Sequence, residues 1–116
     1  MADEPAEVEG IAEIDVQELS RMIEEREVLA IDVRETDEYE EAHIPGTLLL
    51  PLSFMDADLF PVITDKKIVI TCQTGKRSAA AAKQLMQTGV PEVINLQGGV
   101  VAWEEAGLEM EGTKFE

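Results

Sequence analysis

Short apolar runs rich in β-branched residues alternate with helix-like segments along this chain, and this alternation constrains the fold more than any other feature. Val28–Val33 is apolar apart from Asp32, Lys67–Thr71 is a second such run, and Val93–Leu96 is a third. Continuous runs of this kind are typical of strands that are buried on both faces of a sheet. Strands that alternate with helices predict an α/β domain with a mainly parallel sheet.

The first helix is predicted from the signal at its N-terminus. Asp15, followed three residues later by Glu18, resembles a capping box and opens a helix that runs to about Glu25. Its apolar residues fall on one face: Val16, Leu19, Met22 and Ile23. The other predicted elements are a helix over 37–41 capped by Thr36, a strand over 47–50, a short helix in the ambiguous segment 53–60, a helix over 78–88 stopped by Gly89, and a helix over 100–106 ended by Gly107.

The length of 116 residues fits one compact domain. Hydrophobic residues make up 45% of the chain, which is enough for a packed core. Aromatic residues make up only 4%, so Val, Ile, Leu and Ala must fill that core. We expect an acidic, flexible arm over residues 1–10, a single domain over 11–110 and a short C-terminal tail over 111–116.

The chain is strongly acidic, with 25 Asp and Glu residues against 9 Lys and Arg and a formal net charge of −16. Such a surface repels nucleic acid and anionic lipid, so neither nucleic acid nor a membrane is expected as a partner. The acidic N-terminus lacks the basic start and apolar stretch of a signal peptide, which predicts a cytoplasmic location. The charge reflects either solubility in a salty cytoplasm or selection of a basic protein partner; its spread along the chain favours the first.

A single cysteine, Cys72, limits the chemistry of this chain. It has no second cysteine for an internal disulfide, and with His43 as the one histidine it cannot build a zinc site. No metal and no cofactor are predicted. Cys72 is therefore either a small buried hydrophobe or a reactive thiol, and its surroundings in the sequence distinguish the two.

The surroundings of Cys72 favour a reactive thiol. It follows a predicted strand directly, and the helix begins near Ser78. The residues between them are, in order, Gln73, Thr74, Gly75, Lys76 and Arg77. A loop that curls into a helix N-terminus points N–H groups toward its centre, and these donors, the helix dipole and the two cations favour negative charge on the sulfur. Gly75 suits such a loop because it tolerates positive φ, so the sequence predicts a nucleophile that needs no histidine base.

Three stretches of the chain resemble the rhodanese family. The segment Cys72–Ser78 resembles the active-site loop of that family. The N-terminal signature is carried by Ile31–Glu35, Glu38, Tyr39, His43–Thr47, Leu50 and Pro51, and the C-terminal signature by Asn95–Gly99, Trp103 and Gly107. The resemblance extends from about Ile11 to Gly107, with the three stretches in the expected order.

The resemblance implies a three-layer α/β/α fold with a five-stranded, mainly parallel sheet. It also implies that Cys72 takes sulfane sulfur from a small donor such as thiosulfate and passes it, as a persulfide, to cyanide, a thiol or a protein acceptor. Matched by position, the backbone amides of Gln73, Thr74, Gly75, Lys76 and Arg77 would hold the persulfide. Lys76 and Arg77 would also orient an anionic donor.

The other singled-out residues have structural interpretations. We expect Asp32 and Arg34, at a strand end near the site, to form a partly buried pair. His43, which precedes Ile-Pro-Gly, is expected to hydrogen-bond the backbone and hold a turn rather than act as a base. For Arg77 the position at the end of the loop favours a role with substrate over a plain surface charge, whereas for Lys76 the two explanations are evenly balanced.

Other functions remain open as alternatives. Cysteine phosphatases and arsenate reductases have a similar loop, but they place five residues between cysteine and arginine; here four intervene between Cys72 and Arg77, and Ser78 stands where their arginine would be. A non-catalytic binding module of the rhodanese-like type would be expected to lack the cysteine. A sulfur-relay carrier, with proteins as donor and acceptor, would use the same persulfide and is not distinguished by the sequence.

Overall fold

The computed structural model describes residues 11–54, 65–87 and 92–116. Within them a five-stranded sheet has the order β1-β5-β4-β2-β3, and every strand pair is parallel. The elements in chain order are β1 (Ala12–Ile14), α1 (Val16–Glu24), β2 (Val28–Asp32), α2 (Thr36–Glu41), β3 (Leu48–Leu49), β4 (Lys67–Thr71), α3 (Lys76–Gln87), β5 (Val93–Leu96) and α4 (Gly99–Glu105), with 3₁₀ turns at Leu52–Phe54 and Thr113–Phe115.

The two central strands explain why the apolar runs are continuous. β5 is buried along its whole length, and β4 is buried from Ile68 onward. One apolar cluster joins α1 and α4 to one face of the sheet, and a second joins α3 to the other face. Helices therefore cover both faces, which confirms the predicted three-layer arrangement and the mainly parallel sheet.

Helix α1 begins as predicted but forms only half of the capping box. The Asp15 carboxylate accepts a hydrogen bond from the Glu18 N–H at 2.9 Å. The Glu18 carboxylate does not return to the N-cap; it turns outward and pairs with Arg21 at 2.7 Å. The cap alone satisfies one of the unpaired donors of the first turn, and burial of the apolar face of α1 supplies the rest of its stability.

The prediction of Thr36 as the cap of α2 is wrong. Glu35 is the N-cap, Thr36 is the first helical residue, and the Glu38 carboxylate accepts a hydrogen bond from the Glu35 N–H at 2.9 Å. Glu38 is thus the residue that reaches back to the start of the helix, as in a capping box. This arrangement also places Glu38 beside Arg77, which lies in the first turn of α3.

Helix α3 begins at Lys76, two residues earlier than predicted. Lys76 and Arg77 therefore belong to the first helical turn rather than to the preceding loop. The predicted strand over 47–50 shortens to Leu48–Leu49, and β2 ends at Asp32 rather than Val33. The proposed arm over 1–10, most of the segment 53–60 and the end of α3 at Gly89 lie outside the described residues. No helix in the described ranges is long and apolar enough to cross a membrane.

Candidate active site

The sulfur of Cys72 lies under a tight turn that connects β4 to α3. Cys72 is completely buried. Its Sγ accepts a hydrogen bond from the Gly75 N–H at 3.1 Å and one from the Ser78 N–H at 3.3 Å, and Ser78 Oγ lies 3.5 Å away. The Ser78 N–H is free to do so because the first N–H groups of a helix have no partner within it. Two backbone donors thus converge on the sulfur.

This geometry differs in two ways from the sequence prediction. Reactive cysteines typically lie in partly exposed places, yet the turn covers this thiol completely because Gly75 and Ser78 both fold back onto the sulfur. Ser78, which the sequence placed near the start of the helix without predicting a donor there, supplies one of the two backbone donors. The signal for its role was its place in the first turn of α3, which became evident only when the helix start at Lys76 was known.

Two glycines allow the turn to pack against the loop that follows β5. Gly75 has the predicted positive φ, at +95°, and a Cβ there would lie 3.2 Å from the backbone of Leu96 and Gly98. Gly99 has φ +62°, and a Cβ there would lie 2.4 Å from the Cys72 carbonyl oxygen. Any side chain at Gly99 would therefore displace the backbone of Cys72.

The start of α4 holds the first part of the active-site turn. The Val100 N–H donates to the Cys72 carbonyl oxygen at 2.9 Å, and the Val101 N–H donates to the Gln73 carbonyl oxygen at 3.0 Å. These are helix-start donors that would otherwise lack a partner. The N–H groups of Val100 and Val101 thus fix the backbone of the Cys72 loop, and the Gly98–Gly99 pair allows the two segments to approach this closely.

A buried asparagine of β5 connects the turn to the edge strand β1. Asn95 Nδ2 donates to the Gly75 carbonyl oxygen at 3.1 Å and to Glu13 Oε2 at 2.8 Å, and Asn95 Oδ1 accepts from the Ser78 hydroxyl. In the described residues every buried side-chain nitrogen or oxygen has a hydrogen-bond partner. The sequence placed Asn95 within the C-terminal signature but predicted no contact for it or for Glu13, because their contacts depend on the parallel register of β1 and β5.

Asp32 and Arg34 form a pair at the end of β2, and the carboxylate is fully buried rather than partly buried. Arg34 Nη2 lies 2.9 Å from Asp32 Oδ2, and the Arg34 N–H donates to Asp32 Oδ1 at 3.0 Å. The same guanidinium donates to Gln73 Oε1 at 3.1 Å and to the Ala42 carbonyl oxygen at 2.6 Å. Arg34 therefore orients the Gln73 side chain on the loop that follows β4. Removing either partner of a buried ion pair such as Asp32 and Arg34 typically lowers the free energy of unfolding by about 3–5 kcal/mol.

Arg77 lies between the sulfur and an acidic neighbour. Its Nη2 is 3.3 Å from Glu38 Oε2, and its side chain is 42% exposed. The hydrogen bond that Arg77 donates to Glu38 is the main cause that raises the pKa of Arg77, and the nearby Cys72 sulfur contributes in the same direction. Burial pushes the pKa of Glu38 upward, but the Glu35 N–H and Arg77 outweigh burial and lower it. Lys76 is exposed and makes no ion pair within the described part of the chain.

His43 connects α2 to the C-terminal segment. Its Nδ1 lies 2.6 Å from the Tyr39 carbonyl oxygen, and its Nε2 lies 3.2 Å from Glu111 Oε1. The two backbones of His43 and Glu111 exchange hydrogen bonds of 2.7 and 2.9 Å. Because a carbonyl only accepts, Nδ1 carries the hydrogen. These contacts give His43 a structural role at this junction.

Nothing in the described ranges suggests a metal centre. Among residues 11–54, 65–87 and 92–116, no three His, Cys, Asp or Glu side chains are grouped so that they could hold an ion. The site thus consists of one buried thiol, two backbone donors and a buried amide network. Its mouth is the partly exposed surface at Arg77 and Glu38, which carry charges of opposite sign.

The protein is a parallel α/β domain, and its one cysteine lies at the carboxyl end of a central strand. Binding sites of open α/β sheets form at such strand ends. A family model of the rhodanese-like domain matches residues 15–106, and the chain belongs to that family. The fold class predicted from the resemblance is confirmed.

Similar proteins include named sulfurtransferases. A sulfurtransferase from Allochromatium vinosum is 37% identical over 99 residues, which cover 84% of this chain and 92% of that protein. The thiosulfate sulfurtransferase GlpE from Pseudoalteromonas translucida is 29% identical over 96 residues, covering 83% and 91%. The crystal structure of a rhodanese-like domain protein from Staphylococcus aureus matches with a TM-score of 0.73 at 30% identity, covering 85% of this chain and 97% of that one. The chain spans about half the length of two other curated relatives.

Proposed function

We propose that this protein is a sulfurtransferase whose Cys72 carries sulfane sulfur as a persulfide. The observation that carries the proposal is the pair of N–H groups, from Gly75 and Ser78, that converge on the buried sulfur. Backbone donors fixed in this way favour an anionic sulfur without a neighbouring base. The similarity to named sulfurtransferases supports the same conclusion.

The proposed reaction has two displacement steps. The Cys72 thiolate attacks the outer sulfur of a donor such as thiosulfate; the new S–S bond forms as the donor S–S bond breaks, and sulfite leaves with the bonding electron pair. The negative charge then lies on the outer sulfur of the persulfide. In the second step cyanide or a thiolate attacks that outer sulfur, and the Cys72 thiolate leaves. Atoms and electrons balance in each step.

Each loop residue has a proposed part in this reaction. Gly75 and Ser78 hold the inner sulfur, and the amides of Gln73, Thr74, Lys76 and Arg77 face the outer sulfur. The exposed guanidinium of Arg77 orients an anionic donor at the mouth. Because Cys72 is covered, the donor reaches it after the exposed side chains of the loop have moved aside.

A sulfur-relay carrier with protein partners is the second candidate. It uses the same persulfide and differs only in its donor and acceptor. The pairing of Arg77 with Glu38 favours this candidate because it reduces the positive charge that a thiosulfate dianion would meet. The division into residues 1–10, 11–110 and 111–116, the cytoplasmic location, and the exclusion of nucleic acid and membranes as partners remain predictions.

The persulfide is tested by intact-mass analysis after incubation with thiosulfate and with a panel of other persulfide donors. Because Cys72 is the one cysteine in the chain, we expect a gain of one sulfur atom that reductant or cyanide removes. Cys72→Ala should abolish both the gain and turnover. If the unmutated protein gains no sulfur from any donor, the chain is a binding module rather than a sulfurtransferase.

A further inference from the structure

The hydrogen bonds around Asn95 determine where the hydrogen of the Ser78 hydroxyl lies. The Asn95 NH2 group faces the Gly75 carbonyl oxygen and Glu13 Oε2, and both of these oxygens accept hydrogen bonds. The amide oxygen Oδ1 must therefore point toward Ser78, and Oδ1 can only accept. A hydroxyl has one hydrogen, so the Ser78 hydrogen is committed to Asn95.

Ser78 Oγ consequently presents lone pairs to the sulfur of Cys72, 3.5 Å away. In the thiol form, the S–H group donates to Ser78 Oγ. In the thiolate form, two acceptors face each other with no hydrogen between them. The backbone N–H of Ser78 thus favours the thiolate, whereas the hydroxyl oxygen of the same residue favours the thiol.

We infer that Ser78 and Asn95 are positioning residues that together restrain ionisation of Cys72: Asn95 turns the Ser78 hydroxyl away from the sulfur, and Ser78 Oγ holds the thiol proton. Rotating the hydroxyl toward the sulfur would leave Oδ1 of Asn95, which is 1% exposed, without a donor. An unpaired buried acceptor is unfavourable, so the network resists that rotation. The inference rests on the proposed function only in taking Cys72 as the nucleophile.

The charged groups around the site are the same in every comparison that tests this inference. Arg77 from α3 and Glu38 from α2 form one pair at the mouth, and Asp32 and Arg34 form a buried pair at the end of β2. Glu13 from β1 is bonded to Asn95. None of these five groups is itself substituted below. Ser78→Ala leaves their contacts in place, whereas Asn95→Ala also removes the partner of Glu13, so its effect is compared with and without the Ser78 hydroxyl.

The test is the rate of Cys72 alkylation by iodoacetamide, measured on the full chain across pH. Ser78→Ala should move the pH profile toward lower pH and raise the rate at neutral pH by about threefold, the effect of one net hydrogen bond. A profile that stays in place, or that moves toward higher pH because the hydroxyl had donated to the thiolate, would overturn the inference. Sulfur loading is measured separately by mass, so its absence would remove the proposed function and leave this result standing.

Thr71→Val is the matched control. Thr71 is 1% exposed, and its hydroxyl donates to the Cys72 carbonyl oxygen at 3.2 Å rather than facing the sulfur. Removing this hydroxyl next to Cys72 should leave the alkylation profile where it is. A Thr71→Val shift as large as the Ser78→Ala shift would show that any buried hydroxyl near the loop has the same effect, and would overturn the assignment to Ser78.

Asn95→Ala, made alone and with Ser78→Ala, tests the second half of the inference. Alone, it releases the Ser78 hydroxyl to donate to the thiolate and should move the profile further toward lower pH than Ser78→Ala does. In the Ser78→Ala background it should add no shift, because there is no hydroxyl left to release. Equal shifts in both backgrounds would mean that Asn95 acts through the Gly75 carbonyl or through Glu13, and would overturn its coupling to Ser78.

Discussion

At the mouth of the site, Arg77 and Glu38 form an ion pair in which the negative charge of Glu38 partly cancels the positive charge of Arg77. The ion pair is 3.3 Å long and both side chains are partly exposed, so its net stabilisation is small. The guanidinium is therefore available to exchange Glu38 for an anionic donor. We therefore expect Glu38 to weaken the attraction of an anionic donor such as thiosulfate without abolishing it.

Substitution of Glu38 tests that division of charge. Glu38→Gln retains a side chain that can accept the Glu35 N–H and so keeps the cap of α2. It should raise kcat/KM for thiosulfate by about two- to fivefold, the equivalent of one exposed ion pair. Arg77→Ala should lower it by roughly tenfold or more, and Arg77→Lys should recover less than full activity. A fall in kcat/KM on Glu38→Gln would mean that Glu38 holds Arg77 in its working position.

Lys76→Ala is the control for these substitutions. Lys76 precedes Arg77 in the same first turn of α3 and carries the same charge, and it makes no ion pair within the described ranges. If proximity of positive charge alone governs loading, Lys76→Ala and Arg77→Ala should slow it equally. We expect the larger loss of loading rate for Arg77→Ala, because the Arg77 guanidinium also interacts with the Cys72 sulfur.

The residues of the loop were predictable from local sequence, and the residues behind it were not. Cys72, Gly75 and Arg77 stand within one strand–turn–helix segment whose pattern carries the prediction. Asn95 reaches the loop from β5 and is bonded to Glu13 of β1, 82 residues away in sequence, and the contact between these two residues follows from the register of β1 against β5. No pattern in either segment alone reports such a register.

At the scale of the elements, the early start of α3 determines the size of the sulfur site. With Lys76 as the first helical residue, the Ser78 N–H lies within the unpaired first turn and reaches Sγ. Four residues separate Cys72 from Arg77. The Gly75 N–H within this segment and the Ser78 N–H directly after Arg77 both donate to Sγ. A longer loop would open that space.

Insertion of a glycine after Thr74 tests whether loop length selects the chemistry. The variant has the phosphatase-like spacing of five residues before Arg77 and keeps every charge. Sulfur transfer should fall by at least about tenfold, which corresponds to about 1.4 kcal/mol of lost transition-state stabilisation. Binding of phosphate or arsenate should hold steady or increase.

A glycine inserted between Gly107 and Leu108 is the control for the added length. A Cβ at Gly107 would meet nothing within 4 Å, so this turn has room, and it follows α4 rather than the site. Both variants need thermal midpoints near that of the parent for the comparison to be meaningful. If the Thr74 insertion folds and transfers sulfur as fast as the parent, loop length does not separate this protein from the phosphatase class.

Element types were predictable and element boundaries were less so. The apolar runs of β2, β4 and β5 are strong signals because these strands are the interior of the sheet. The start of α2 was misplaced because Glu35 and Thr36 are adjacent polar residues and either suits a cap. The start of α3 was misplaced because Lys76 and Arg77 are compatible with both a loop and a first helical turn.

For the molecule as a whole, the strand order brings the functional parts together. β4 lies between β2 and β5, so the carboxyl ends of these three strands meet at one edge. Asp32 with Arg34, Cys72, and the Gly98–Gly99 turn follow those ends in turn. Alternation of strands and helices predicts a parallel sheet but not the order of its strands, because that order depends on contacts between elements distant in sequence.

Whether Cys72 carries sulfur as a persulfide is measured most directly by following the outer sulfur of the donor. Thiosulfate carrying a heavy sulfur isotope at its outer position alone is incubated with the protein, and the peptide that contains Cys72 is weighed before and after cyanide is added. We predict that the heavy sulfur appears on Cys72 and that the released sulfite is unlabelled. Cyanide should then move the label from Cys72 into thiocyanate. Label that appears in sulfite, or thiocyanate that forms while Cys72 never carries the label, would contradict the persulfide account.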